Sequence, residues 1–211
     1  MAAVNPARRY TSPLRAEQAR LTRTAVLASA RRLFLADGYA LTTIGSVAGD
    51  AGVSVETVYK AFGSKPGLVR AICADALAGD GPIPAEERSN AMQRREPDPV
   101  RIVRGWADMT REVSPRIAPL LLLMRAAAAA DDEMAQLLRQ LEDQRLERMT
   151  RNARTLADGG HLREGVTLRA AAETLWTYSS PELYELLVLK RAWPLERYGQ
   201  FIGDALTAAL L

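Results

Sequence analysis

An all-α fold in two parts is what this chain's sequence predicts, and three observations predict it. Apolar residues recur at helical spacing over long stretches, as in Val26, Ala30, Leu33 and Phe34, and again in Met134, Leu137, Leu138 and Leu141. The segment from Thr42 to Leu68 reads as two short helices joined by a tight turn at Gly52. Pro66, Pro181 and Pro194 fall where first turns are expected, the helical position at which a missing N–H matters least.

In chain order, residues 1–14 carry prolines and two adjacent arginines without periodicity and are expected to be a flexible basic arm, or simply a solvated terminus. Arg15 to Ala36 is expected to be a helix, stopped by Asp37 and Gly38. Thr42 and Thr43 offer hydroxyl caps to a short helix whose inward residues are Ile44, Val47, Ala48 and Ala51. After Gly52, Ser54 caps a second short helix with Val58 and Phe62 inward and Val55, Glu56, Thr57, Tyr59 and Lys60 outward. Two helices about a glycine turn, with polar and aromatic groups on the second, form the helix-turn-helix pattern, although a plain helical hairpin would use the same turn. Residues 15–63 are thus assigned to a DNA-binding unit, and Ser64 caps a connecting helix over residues 64–78.

Gly79 to Asp98 holds glycines, prolines and many charges with no sustained apolar period, and is expected to be a linker or exposed loop. The remainder of residues 79–211 is expected to be a second helical domain. Its helices are placed at Val100 to Glu112, from Pro115 to Ala130, and from Asp132 to Leu156. Others follow at Thr167 to Tyr178, Pro181 to Lys190, and Pro194 to the C-terminus. Leu183, Leu187, Tyr198, Phe201, Ile202 and Leu206 give the last two more apolar surface than a small domain needs for itself, which fits either an intrachain core or a dimer interface.

The formal net charge of +3 is unevenly spread: residues 1–70 carry ten Lys/Arg against four acids, so the remaining 141 residues are net negative. Positive charge gathered on the helix-turn-helix segment favours a polyanion, because neutralised phosphates release their counterions.

The run from Val26 to Ile72 resembles the DNA-binding domain of the TetR family of bacterial transcriptional repressors. The residues that carry the likeness are Val26, Leu27, Ala30, Leu33, Phe34, Gly38, Thr43, Ala48, Ala51, Gly52, Val53, Ser54, Tyr59, Phe62, Lys65 and Leu68. The resemblance implies that the second short helix lies in the major groove, with Thr43, Tyr59 and Lys65 on phosphates. Together with the outward face, this makes Thr43, Ser54, Val55, Glu56, Thr57, Tyr59, Lys60 and Lys65 the expected DNA contacts. The chain departs from the family at Glu56, where glycine is frequent, and at Ala61, where histidine or tyrosine is usual. The stretch from Leu175 to the C-terminus also resembles one branch of the family, whose terminal helices form a four-helix dimer interface. What the family implies for the second domain is a chamber for a small-molecule effector. Candidate lining residues are Trp106, Met109, Leu122, Met124, Arg125, Met134, Leu138, Trp176 and Tyr178, although apolar residues at this spacing also build ordinary core.

Other chemistry is poorly represented. No apolar run is long enough for a membrane span, and the N-terminus lacks a signal core, so a cytoplasmic location is expected. Cys73 is the only cysteine, so no intrachain disulfide is possible. It falls in the connecting helix as a small apolar side chain, while His161, the only histidine, follows Gly159 and Gly160 in an expected loop, so a thiol–imidazole pair is not expected. No metal cluster, cofactor-binding motif or glycine-rich phosphate loop is found, and no enzyme activity is expected. The expected function is a homodimeric transcriptional repressor that binds a palindromic double-stranded DNA operator and is released by a small molecule. A DNA-binding regulator without an effector stands beside it, as does a helical ligand-binding protein or enzyme with a vestigial helix-turn-helix.

Overall fold

The computed structural model describes residues 13–79 and 81–211, in which no strand occurs. Residues 1–12, most of the expected basic arm, lie outside it. Helix α1, Pro13–Leu41, presents Val26, Ala30 and Phe34 inward, all essentially inaccessible. Gly38 interrupts it as expected, with φ +81°, a value that a residue without Cβ adopts cheaply. The chain then makes one more helical turn, held by the Thr42 hydroxyl donating to the carbonyl of Gly38 at 2.9 Å.

Helices α2 (Ile44–Asp50), α3 (Val55–Phe62) and α4 (Lys65–Ala78) follow with short joints. The next element corrects the sequence reading. The expected linker contains a helix, α5, Ala85–Arg95. Its inward face is Ala85, Ser89 and half-buried Met92, mostly small or polar residues that leave no apolar period to reveal it. Its order shows instead in its charges, with Glu86 and Glu87 in the first turn and Arg94 and Arg95 in the last, each matching the helix dipole.

A second correction concerns α6, Pro99–Ala128, one continuous helix of 30 residues where two were expected. Pro115 and Pro119 lie inside it rather than at a start. Proline removes a donor and crowds the preceding turn, but it does not forbid a helix that is held from outside. Here Ser114, Ile117, Ala118, Leu120 and Leu121 are all buried beside the two prolines, and α6 packs on α1, α4, α5 and α7 as well as on the C-terminal helices.

Helix α7, Asp132–Asp158, is capped by Asp131, whose carboxylate accepts from Met134 N at 2.9 Å. Thr167 caps α8, Leu168–Tyr178. The helix expected from Pro181 to Lys190 starts as α9, Pro181–Tyr184, and continues as a π-helical turn, Glu185–Lys190. Helix α10, Leu195–Leu210, begins just after Pro194, which is the cap residue rather than part of the first turn.

Two apolar cores result. One joins Phe34, Val47, Val58 and Leu68 of the N-terminal unit to Leu120 and Met124 of α6 and Met134 and Leu137 of α7. The other gathers Trp106 of α6, Leu156 of α7, Leu175 of α8 and Tyr198, Ile202 and Leu206 of α10. The N-terminal head therefore shares its core with the body and is not strung from it by a free linker.

Candidate nucleic-acid interface and ligand cavity

The head positions α3 by three successive side-chain caps. Thr43 and Ser46 cap α2 reciprocally: Ser46 N donates to the Thr43 hydroxyl at 2.9 Å, and Thr43 N to the Ser46 hydroxyl at 3.0 Å. Gly52 turns the chain at φ +66°. Ser54 then caps α3, accepting from Thr57 N at 3.1 Å while the two hydroxyls lie 2.9 Å apart. Ser64 caps α4, accepting from Gly67 N at 3.1 Å. Each cap satisfies amides that a short helix would otherwise leave open, which matters most in helices of seven and eight residues.

Val58 is buried, and Phe62 lies half-buried under the Arg23 guanidinium, 4.7 Å from its ring centroid. The opposite face of α3 is bare. Val55 and Tyr59 are 43% and 51% exposed, and Glu56 and Lys60 stand beside them. Among the expected contacts, Thr43, Ser54 and Thr57 already spend hydroxyl groups on caps, which leaves Val55, Glu56, Tyr59 and Lys60 as the open face of the helix.

Lys65 sits lower. Its ammonium lies 4.1 Å from the Tyr39 ring centroid and 3.5 Å from the carbonyl of Ala40, and partial burial lowers its pKa. Asp131, from the turn between α6 and α7, opposes that shift and also faces Tyr39, whose hydroxyl pKa is raised by burial first and by this carboxylate second.

The body contains a cavity of about 400 Å³, walled mainly by α5, α6, α7, α8 and α10, with Leu77 of α4 at one side. Of the candidate lining residues, Trp106, Met109 and Tyr178 border it. Leu122, Met124, Arg125, Met134, Leu138 and Trp176 do not. Met124 and Met134 are fully buried in the core shared with the head, Arg125 pairs with Glu182, and Trp176 lies beneath the Arg145 guanidinium at 4.3 Å. Leu138 packs against the shared core, and Leu122 is half-buried outside the cavity wall.

Ile202 and Leu206, expected at a dimer interface, instead face this cavity, and Tyr198 is wholly buried within the chain. Leu183 and Leu187 are half-buried against the second core. The apolar surface that stays open on the last helices is Leu186, Leu189 and Phe201, with Trp193 edge-on to Phe201 at 5.7 Å.

The expected lining leaves out Arg145 of α7. Arg145 lines the cavity, and burial pushes its pKa down to about 10. The signal was spacing: Leu141, Arg145, Met149 and Asn152 recur at three- and four-residue intervals, so the arginine shares the apolar stripe.

Residues 26–72 match the family model of bacterial regulatory proteins of the tetR family. No curated protein sequence matches the chain. Solved structures do match it in fold. SmeT in its triclosan complex is 24% identical, with a TM-score of 0.72 over 90% of this chain and 91% of that one. NalD, the secondary repressor of the MexAB-OprM multidrug efflux pump in Pseudomonas aeruginosa, is 19% identical, with a TM-score of 0.69 over 92% and 98%. The fatty acid degradation regulator FadR from Bacillus halodurans is 14% identical, with a TM-score of 0.72 over 88% and 94%.

Proposed function

We propose that this chain, whose residues 26–72 match the tetR family and whose fold is that of TetR-family regulators, is a DNA-binding transcriptional repressor released by a small molecule. The observation that carries the reading is the bare face of α3. A helix capped at its start, turned by Gly52 and backed by Val58 displays Val55, Glu56, Tyr59 and Lys60 on the most basic part of the chain. A helix so displayed fits the major groove, where side chains near its N-terminus meet base edges. Two half-sites on a palindrome need a two-fold protein, and the open apolar residues Leu186, Leu189 and Phe201 offer a face for a second copy.

The cavity supports the effector part of the reading. Leu77 lines it, and Leu77 belongs to the same helix as Lys65, which stands beside the reading head. Helix α4 has 14 residues, so a push on its far end is carried about 20 Å to the head by a rigid element. A molecule that binds one head spacing better than the other shifts the population by that difference in affinity. NalD is described as a repressor and SmeT is seen with triclosan, which agrees with this division of labour.

The test is selection of bound duplexes from a random library, followed by fluorescence anisotropy of the best one at several salt concentrations. A palindromic winner, two chains per site and steep salt dependence are expected. No enrichment above bulk DNA would remove the regulator reading and leave the cavity as the seat of function.

A further inference from the structure

The cavity carries chemistry that narrows what it takes. Most of its wall is apolar, supplied by residues such as Val113, Leu121 and Leu175. Trp106 is only 4% exposed, and its indole Nε1–H has no acceptor among the described residues. A buried donor left without a partner forfeits its solvation for nothing in return, so although Nε1 is closed off in this arrangement, a ligand that turns the ring toward itself gains by offering an acceptor there.

The charged residues of the lining point the same way. Two carboxylates, Glu86 and Glu147, face three guanidiniums, Arg145, Arg148 and Arg151. Both carboxylates are already used: Glu86 lies 2.7 Å from Arg148 and 3.1 Å from Arg151, and Glu147 lies 2.9 Å from Arg151. Arg145 is the one left over. Its Nη1 donates to the carbonyl of Trp176 at 2.5 Å and to the Ser179 hydroxyl at 3.2 Å. Among the described residues it forms no ion pair, the Glu142 carboxylate acting on it only at longer range, and its Nε and Nη2 donate to no acceptor. A half-buried cation with spare donors is stabilised by an anion, and guanidinium suits a planar carboxylate.

Resting on the effector reading above, we infer that the ligand is an amphipathic acid: an apolar body in the cavity, with oxygen acceptors for Trp106 Nε1 and for the free edge of Arg145. Lipophilic cations are excluded by the same lining, because the net charge there is positive and no carboxylate is free to receive them.

Three ten-carbon probes that differ only in the head test this by calorimetric titration of the full chain: decanoate, decanol and decylammonium. Decanoate is expected to bind tightest, at least about tenfold above decylammonium, with decanol between. Arg145→Met should bring decanoate down to the level of decanol, while Arg145→Lys should retain the preference for the acid. Trp106→Phe should weaken decanoate and decanol alike, by several-fold. The inference is overturned if decylammonium binds as tightly as decanoate, if none of the three binds, or if Arg145→Met leaves the preference intact while its melting temperature matches the parent.

Repeating the titrations on the protein bound to its selected duplex separates the two readings. Decanoate that binds without releasing the duplex sinks the effector reading and leaves the ligand class standing. Release by decylammonium alone sinks the ligand class and leaves the effector reading standing.

Discussion

Gly67 and Gly49 lie in helices of the same small head, and alanine should act on them with opposite signs. In a helix interior, glycine to alanine normally stabilises by about 0.5–1 kcal/mol, because alanine has less backbone freedom to lose. At Gly49, in α2, a Cβ would meet nothing within 4 Å, so the ordinary gain should appear in full. At Gly67, in the first turn of α4, a Cβ would stand 2.1 Å from the carbonyl oxygen of Phe62 and 3.3 Å from its carbon. That oxygen is backbone, and it already accepts from Ser64 N at 2.9 Å, so it cannot rotate aside. Restoring ordinary contact requires the end of α3 and the start of α4 to part by roughly 1 Å, and forced separations of this kind cost about 1–3 kcal/mol. After the propensity gain is subtracted, Gly67→Ala should destabilise by about 1–2 kcal/mol. For a chain of this size, that lowers the melting temperature by about 2–8 °C, while Gly49→Ala should raise it by about 1–4 °C. Thermal unfolding followed by circular dichroism reads both. A Gly67→Ala protein melting at or above the parent would show that α3 and α4 are not wedged together at Phe62, and the account of how α3 is held would fail.

Lys65→Ala should weaken binding to all duplexes alike and lower the slope of log affinity against log salt by about one; a changed sequence preference at constant slope would mean that the docking is wrong. Cys73 is fully buried with its thiol raised to about 12 by burial, so it should resist a disulfide reagent at pH 8 in the native chain and react at once in urea. Asp50 is held below its ordinary value of 3.8 by hydrogen bonds from Ser29 and then Arg32. A lowered carboxylate pKa contributes stability that is complete above the unfolded value and is lost as pH falls through the folded one. Asp50→Asn should therefore flatten the loss of stability below about pH 4 without steepening it elsewhere, as followed by urea titration across that range. Tyr39→Phe and Asp131→Ala should be non-additive by about 0.5–1 kcal/mol in unfolding free energy, since the two face each other across the head–body seam.

What could be read in the sequence followed from how strongly local physics announced it. The three caps Thr43, Ser54 and Ser64 and the left-handed glycines Gly38 and Gly52 are short-range devices, and each stands where its neighbours placed it. Helix α5 escaped because helical period is visible only when the buried face is apolar, and α5 buries Ala85 and Ser89 with half-buried polar residues such as Asn90 and Gln93 beside them. The continuity of α6 escaped because Pro115 and Pro119 signal a boundary locally, while the burial of Ile117, Ala118 and Leu120 that overrides them depends on helices distant in sequence. The cavity was legible in part for the same reason. Trp106 and Met109 share the inward stripe of α6, but whether a buried residue faces empty space or another side chain is fixed only when several helices meet. Met124 and Met134 have the same pattern as true lining residues and pack solidly instead.

The place where lining and packing coincide is also where the head and the body are joined. Ile117 and Leu121 border the cavity and belong to the core that holds Leu68, Val69 and Ile72 of α4. Nearby, the Arg116 guanidinium donates to the carbonyls of Asp75 and Ala76, both at 3.3 Å, and fixes the C-terminal end of α4 to α6. Protein interiors are dense and compress little, so a ligand that displaces Ile117 or Leu121 must move α4 or be refused. Movement of α4 reaches α3 through the contact between Gly67 and Phe62, the same contact that alanine would overfill. Under the proposed function, coupling through shared residues is reciprocal: whatever factor the ligand takes from DNA affinity, bound DNA takes from ligand affinity. To carry the head from one part in a hundred free to ninety-nine parts, the ligand must prefer the released state by about ten-thousandfold. A wall of apolar contacts alone is a weak source of such a difference, because it yields to either state. Under the proposed effector reading, directional partners such as Arg145 and Trp106, whose geometry a shift of the helices would change, are the residues able to supply it.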